Sequence, residues 1–510
     1  MDVSAKGVNT QCWECRRRRI VCDSTQPICT KCRSAGIVCP GYQDKKPLTW
    51  LAPNKVLSRP RKRKVPKVCG PERAAGSSGR TPSTSQEMGP ARGLRSEVCD
   101  VVEAWMYYNT CIYPDYSSHQ LAPTPFCIKL PSLQLAPDAV RHTLVSLAIN
   151  HYLFQTTDDA GVAQSSMVVM SRDTSSRLYH HRHQAIQTLR TLLANEETRT
   201  ADQTIGGVYT FQYAVLQQSI SPYWRPHFEI FQNLINLRGG FVQLVRSSPV
   251  LCLPLLGYWV VSVLANTTSP SHDQMQSLCS QPEIVAKALQ LYEALNYPSL
   301  PCPTVLFAHI VKINNLRYQI ACTPATNDGI MDDDDPEQTK LSFLMTVPPQ
   351  QQISSLHDQI ESFDAEEWAA TKDPSHYSEW LFVARMFRSA VAVYCLLSLP
   401  HTSYPGIERE ADYATAAREK HSADLLECLK EGLASPMMKR FMVWPLIVAG
   451  VDAVRRGGEV RSFIGRAWRT LAMDQRSSLP LVAREALEKF WASGKNGWDE
   501  CFDVPYALVF

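Results

Sequence analysis

Six cysteines crowded between positions 12 and 39 constrain this chain more than any other feature of it. They are Cys12, Cys15, Cys22, Cys29, Cys32 and Cys39, spaced C-x2-C-x6-C-x6-C-x2-C-x6-C. The pattern is two copies of C-x2-C-x6-C offset by 17 residues. Each C-x2-C pair can set two thiolates on one metal at the start of a helical turn, and the third cysteine returns to that metal afterwards. Two separate tetrahedral zinc sites need eight ligands. Six sulfurs suffice only if two of them bridge, and the repeat predicts one bridging cysteine from each copy. Positions 1–44 hold no histidine, which excludes a mixed Cys/His finger there. A unit of roughly 30 residues has little core of its own, so metal binding would supply most of its folding free energy. The expected cofactor is two Zn2+ per chain.

Two zincs and six thiolates carry net negative charge, which favours basic neighbours. Between Cys15 and Cys22 lie Arg16, Arg17, Arg18 and Arg19, followed by Ile20 and Val21. Four arginines on a short helix fan around it. Some face phosphates, while one or two can reach guanine O6 and N7 through a bidentate major-groove contact. Lys31 and Arg33, in the second copy, are expected to add backbone contacts. Double-stranded DNA is the predicted partner.

Three stretches resemble the fungal-type Zn(2)-C(6) binuclear-cluster transcription factors. They are Cys12-Trp13-Glu14-Cys15-Arg16-Arg17-Arg18-Arg19-Ile20-Val21-Cys22-Asp23, Gln26-Pro27-Ile28-Cys29-Thr30-Lys31-Cys32 and Cys39-Pro40-Gly41-Tyr42. The resemblance implies that Cys12 and Cys29 bridge the two zincs and that Pro27 turns the chain between the halves. It implies that the first helix enters the major groove and reads CGG-like triplets. Two positions depart from the family: Arg19 stands where lysine is common, and Val21 where a basic residue is common. Arg18 and Arg19 are the expected base readers.

Charge divides the chain unevenly. Residues 1–100 hold 20 Lys and Arg against 8 Asp and Glu, and the remaining 410 hold 32 against 41. A basic arm on a mildly acidic body points to a polyanion, nucleic acid before an anionic membrane surface. Residues 45–97 are rich in Pro, Gly, Ser and basic residues without apolar periodicity. They are expected to form a disordered linker between a cluster domain at 1–44 and a body at 98–510. The run from Arg59 to Lys67, with Arg61, Lys62, Arg63 and Lys64 at its centre, reads as a nuclear import signal, a DNA-backbone clamp, or both. Pro47, Pro53, Pro60, Pro66 and Pro71 interrupt any coiled coil after the cluster. The expectation is a monomer, or a dimer made by the body.

The body returns to helical patterning. Apolar residues recur at spacings of three and four over 98–113, 138–153, 178–193 and 228–237, and again near 281–295, 303–320, 380–398, 412–432, 460–472 and 481–493. Gly239-Gly240 is a helix stop. Val250 to Ala265 is apolar but short for a span and broken by Pro254, Gly257 and Ser262, which predicts a buried helix or helix pair. No secretory signal is expected from the polar opening residues. The 11 cysteines from Cys69 to Cys501 read as reduced, small core residues. The fold class expected is a small binuclear zinc cluster with two short helices, a disordered basic linker, and a large all-α domain. This last resembles the fungal-specific regulatory domain through Asp138 to Ala148, Trp444 to Gly450 and Trp498 to Phe502.

Enzyme chemistry finds little footing. His180, His181 and His183 lack acidic or cysteine partners at ligand spacing and read as exposed or core histidines. Asp332 to Asp335 read as a solvated loop. No phosphate-binding glycine loop, nucleophile elbow or H-E-x-x-H motif is present. The expected function is therefore a nuclear, zinc-dependent, sequence-specific activator of RNA polymerase II transcription. It would be tied to one pathway, such as secondary metabolism, and work with co-regulators or the transcription machinery rather than a membrane. The competing reading is a DNA-associated scaffold without strong sequence choice. A weaker one is an enzyme with a grafted cluster.

Overall fold

The computed structural model describes residues 11–12, 15, 18, 20–25, 29–35, 97–116, 121, 127–155, 172–218, 224–295, 300–322, 349–400 and 408–508. The linker up to residue 96, the basic run with Arg61 to Lys64, and Asp332 to Asp335 lie outside them. The chain divides into two units, Met1–Glu87 and Met88–Phe510. The first contributes one short described helix, α1 (Thr30–Ser34).

All regular structure among the described residues of the second unit is helical. α2 (Glu97–Tyr107) runs on through a π-helical turn, Tyr108–Ile112. That widened turn keeps two side chains on one target: Trp105 Nε1 and Asn109 Nδ2 donate to the Ile128 carbonyl at 2.6 and 2.9 Å. α3 (Asp138–Gln155) and α4 (Arg172–Ala194) pack on α2 and on α5 (Asp202–Gln218). α6 (Trp224–Leu237) buries Trp224, Phe228, Phe231, Leu234 and Ile235, spaced three and four residues apart. It stops where the sequence places the stop. Gly239 and Gly240 take φ of 87° and 92°, and Gly240 N donates to Ile235 O at 2.9 Å, closing the helix end.

The centre is made of helices that are apolar on all sides. After α7 (Phe241–Ser247), α8 (Cys252–Thr267) buries every residue from Leu255 to Thr267. α9 (Pro282–Leu295) and α10 (Thr304–Cys322) pack against it, followed in the chain by α11 (Pro349–Glu361). α12 (Tyr377–Ser398) is largely buried and lies on α13 (Glu408–Ala434) and on α14 (Val443–Asp452), all ten of whose residues are buried. α15 (Gly458–Gln475), α16 (Leu479–Ala492) and α17 (Trp498–Cys501) complete the body. The segments 249–267 and 374–398 are long and apolar enough to cross a membrane, yet 78% and 67% of their most apolar windows are buried among other helices. A helix without a polar face belongs in a core of this kind.

Several polar groups inside that core meet partners far away in the chain. α8 carries no basic residue in its last turn, and its end is capped from α10. Arg317 Nη1 donates to the Asn266 carbonyl at 3.0 Å and to Tyr394 Oη at 2.8 Å, and Nη2 donates to the Ser269 carbonyl at 2.9 Å and to Asp499. Burial alone would lower the Arg317 pKa, but Tyr394 and Asp499 outweigh it and the pKa is raised. Trp498 Nε1 donates to the Thr267 carbonyl at 2.7 Å, and Trp444 Nε1 to the Thr267 hydroxyl at 3.1 Å. Tyr506 N donates to the Thr268 carbonyl at 3.1 Å.

Not every scattered cysteine is in this core. Cys279, Cys302, Cys395 and Cys501 are buried as expected, whereas Cys99, Cys127 and Cys322 are exposed. Each of these exposed cysteines stands at or near a helix end, where apolar periodicity says nothing about burial. All are free thiols.

Gly450 marks a close contact between α14 and α16. A Cβ there would lie 2.5 Å from Leu487 Cδ1, and Leu487 is buried. Gly450→Ala is expected to destabilise the body by about 1–3 kcal/mol through overpacking. The check is the urea midpoint; an unchanged midpoint would mean that Leu487 swings aside at no cost.

Candidate metal centre

In the N-terminal unit the sequence copies converge. Cys12, Cys15, Cys29 and Cys32 are fully buried, Cys22 is 8% exposed, and Cys39 lies outside the described residues. The Sγ atoms of Cys12 and Cys29 are 3.7 Å apart, those of Cys12 and Cys32 3.8 Å, and those of Cys15 and Cys29 3.6 Å. A zinc tetrahedron with bonds of about 2.3 Å has sulfur–sulfur edges of about 3.8 Å. The separations are therefore those of a ligand shell and far longer than the roughly 2 Å of a disulfide bond. Cys12 and Cys29 each take part in two of the three close pairs.

The backbone supports the sulfurs. Cys15 N donates to Cys12 Sγ at 3.4 Å, Cys32 N to Cys29 Sγ at 3.3 Å, and Cys12 N to Cys22 Sγ at 3.5 Å. The first two contacts are the same in both repeats, because C-x2-C at a helix start brings the second amide over the first sulfur. Burial and neighbouring thiols push Cys15 up strongly and Cys32 up to about 12. As metal ligands these sulfurs would be thiolates, and a dication would offset their charge. The donor set thus fits zinc.

Asp23 was not singled out by the motif reasoning, yet it joins the halves. Thr25 Oγ1 and Thr30 Oγ1 donate to its carboxylate, and Thr30 N reaches both oxygens at 3.1 and 3.0 Å. The threonine hydroxyls first, and then the Thr30 amide, hold the Asp23 carboxyl well below the usual range. Ser24, just after it, takes a left-handed φ of 59°. The available signal was an aspartate seven residues before a helix start, which alone is weak.

Arg18 and Lys31 are exposed, Val21 is 80% exposed, and Ile20 packs on the sulfurs. Arg16, Arg17 and Arg19 lie outside the described residues, as does the side chain of Arg33.

The histidine run of the body forms a different arrangement. His181 is 1% exposed; its Nε2 lies 3.1 Å from Asp100 Oδ2 and its Nδ1 2.9 Å from His142 Nδ1. Arg177 pairs with Asp100 at 2.6 Å, and His180 with Glu97 at 2.8 Å. His180 and His181 do have acidic partners, but these come from α2, some 80 residues earlier in the chain, where no local spacing rule could find them; His183 is exposed, as expected. The seam ties α2 to α3 and α4.

Comparison with known proteins agrees with this geometry. Residues 10–48 match the Fungal Zn(2)-Cys(6) binuclear cluster domain, and residues 104–506 match the Fungal specific transcription factor domain. The chain is 32% identical over 509 residues to a "Phomenoic acid biosynthesis cluster-specific transcriptional regulator" of Leptosphaeria maculans, covering 98% of this chain and 89% of that protein. No solved structure matches.

Proposed function

The chain belongs to the fungal transcription factors that join a Zn(2)-Cys(6) binuclear cluster to a fungal-specific transcription factor domain, and from that premise we propose that it activates one biosynthetic pathway by reading CGG-like triplets. It is a zinc-binding transcription regulator and not an enzyme. The observation that carries the proposal is the sulfur shell with edges of 3.6–3.8 Å, flanked by the exposed Arg18.

In this reading two zincs occupy the unit. Cys12, Cys15, Cys22 and Cys29 hold one, and Cys12, Cys29, Cys32 and Cys39 hold the other. Zinc supplies the cross-links that a unit this small lacks, and its charge offsets the thiolates. Arg18 and Arg19 read guanine edges, while Arg16, Arg17, Lys31 and Arg33 contact phosphates. Arg61, Lys62, Arg63 and Lys64 direct the chain to the nucleus, in the stretch we assign as a linker between domains at 1–44 and 98–510. The body docks co-regulators and, if the protein dimerises, forms the dimer. A role in secondary metabolism is supported by the relative, whose name ties it to phomenoic acid biosynthesis.

Selection of binding sites from random duplexes by the full-length, zinc-loaded protein tests this. Zinc-dependent enrichment of a CGG-like triplet is expected, with one triplet for a monomer and two at fixed spacing for a dimer. Arg18→Ala with Arg19→Ala should weaken binding to the selected site by roughly 100-fold, at about 1–3 kcal/mol per bidentate contact. Folded, zinc-bound protein that enriches nothing would overturn the reading in favour of a scaffold without sequence choice.

A further inference from the structure

The body is acidic overall, but one groove on it concentrates arginines. It lies between α15 and α16, encloses about 350 Å3, and is lined by Arg461, Arg466, Arg469, Arg484, Glu488 and Trp491. Two of the arginines are committed. Arg461 donates to the Ala453 and Val454 carbonyls at 3.0 and 2.6 Å, and Arg484 pairs with Glu488 at 2.7 Å. Arg466 and Arg469 are exposed, and among the described residues neither has a carboxylate within ion-pair reach. The local excess of positive charge stands on a body that otherwise carries more acidic than basic residues.

We propose that this groove binds an extended acidic peptide of a partner protein, carboxylates on Arg466 and Arg469 and an apolar side chain against Trp491. Arg466 and Arg469 are three residues apart, about 4.5 Å along the helix, and their long side chains can splay further. Alternate side chains of an extended strand recur every ~7 Å, a spacing that two splayed arginine side chains can meet with one carboxylate each. Gly465 leaves the floor open between the two helices, and a Cβ there would sit 4.0 Å from both Arg484 Nε and Glu488 Oε1. Glu488 in that floor is paired with Arg484 and can accept a peptide N–H, a donor that a phosphate backbone lacks. Trp491 is held in place, its Nε1 donating to the Gly450 carbonyl at 2.9 Å. A fixed aromatic wall offers an acidic-apolar peptide a contact that a phosphate ridge would leave unused. The carboxylate floor and the aromatic wall together favour peptide over nucleic acid.

The test uses the full-length, zinc-loaded protein and a labelled peptide of alternating aspartate and leucine, read by fluorescence anisotropy. Its asparagine counterpart and a triplet-free DNA duplex serve as competitors. Saturable binding of the acidic peptide is expected, weakening with salt. The pair Arg466→Glu and Arg469→Glu should weaken it by roughly 30-fold, as expected for reversing two charge-assisted contacts. The melting temperature and the zinc content should stay unchanged, which separates loss of the groove from loss of fold and from failure of the cluster. Peptide binding that survives the double variant would overturn the proposal. So would equal binding of the asparagine peptide, or a duplex that competes better than the acidic peptide and loses that advantage in the variant.

Discussion

Cys29→Ala is expected to empty the N-terminal unit of both zincs, whereas Cys15→Ala should empty one site first. The difference follows from position. Cys29 Sγ lies within 3.7 Å of both Cys12 Sγ and Cys15 Sγ, and it is the proposed bridge between two metals. Removing a terminal ligand leaves one metal with three sulfurs; removing a bridge leaves both with three. Structural zinc stabilises small domains by about 10–16 kcal/mol, more than such a unit can replace by packing. The Cys29→Ala unit should therefore unfold, and sequence-specific DNA binding should fall by at least ~1000-fold. Zinc released to a colorimetric chelator, counted per chain, is the readout. If both variants keep the same zinc content, Cys29 does not bridge.

Arg317→Met should produce the second large effect, in the body. Methionine approximates the volume but donates nothing. The substitution strips Asn266 and Ser269 of their donor and leaves Tyr394 without its cationic partner, all in the buried core. Breaking such a network from one side costs about 3–5 kcal/mol. The urea midpoint of the body should drop accordingly, with zinc content unchanged. Asp499 supplies an internal control, since its side chain is 46% exposed. Asp499→Asn should cost about 1 kcal/mol or less, because water screens a half-exposed carboxylate. Equal costs for the two variants would show that the ion pair, and not the capping of α8, is what matters.

These two sites differ in how far the sequence reveals them. The cysteine cluster was legible because zinc ligands obey local spacing and the repeat states it twice. Amphipathic helices such as α6, α9 and α16 were legible because water on one face imposes a period on the residues. α8 and α14 have no watered face; the apolar run at 250–265 predicts a buried helix, and α8 is one, but which helices surround it does not follow from the run. α5 escaped notice because Gly206 and Gly207 dilute its pattern. Gly207 is small for a packing reason: a Cβ there would lie 3.3 Å from Leu189 Cδ2. Arg317 and Asp499 are separated by 182 residues, and His181 and Asp100 by 81. Pairings at such distances leave no periodic trace in one sequence. The grouping of the exposed α15 arginines with Arg484 and Trp491 exists only because α16 lies across from them.

The lock on the end of α8 also sets a schedule for biosynthesis. Trp498 meets Thr267 across 231 positions of the chain. At about 5–20 residues per second, α8 leaves the ribosome roughly 10–50 s before the segment that closes it. Throughout that interval an all-apolar helix stands without its final partners. Residues 498–508 thus arrive long after the helix that needs them. A nascent chain of this protein exposes that helix as chaperone clients do, and a chain cut shortly before position 498 would keep α8 but lack the residues that lock it.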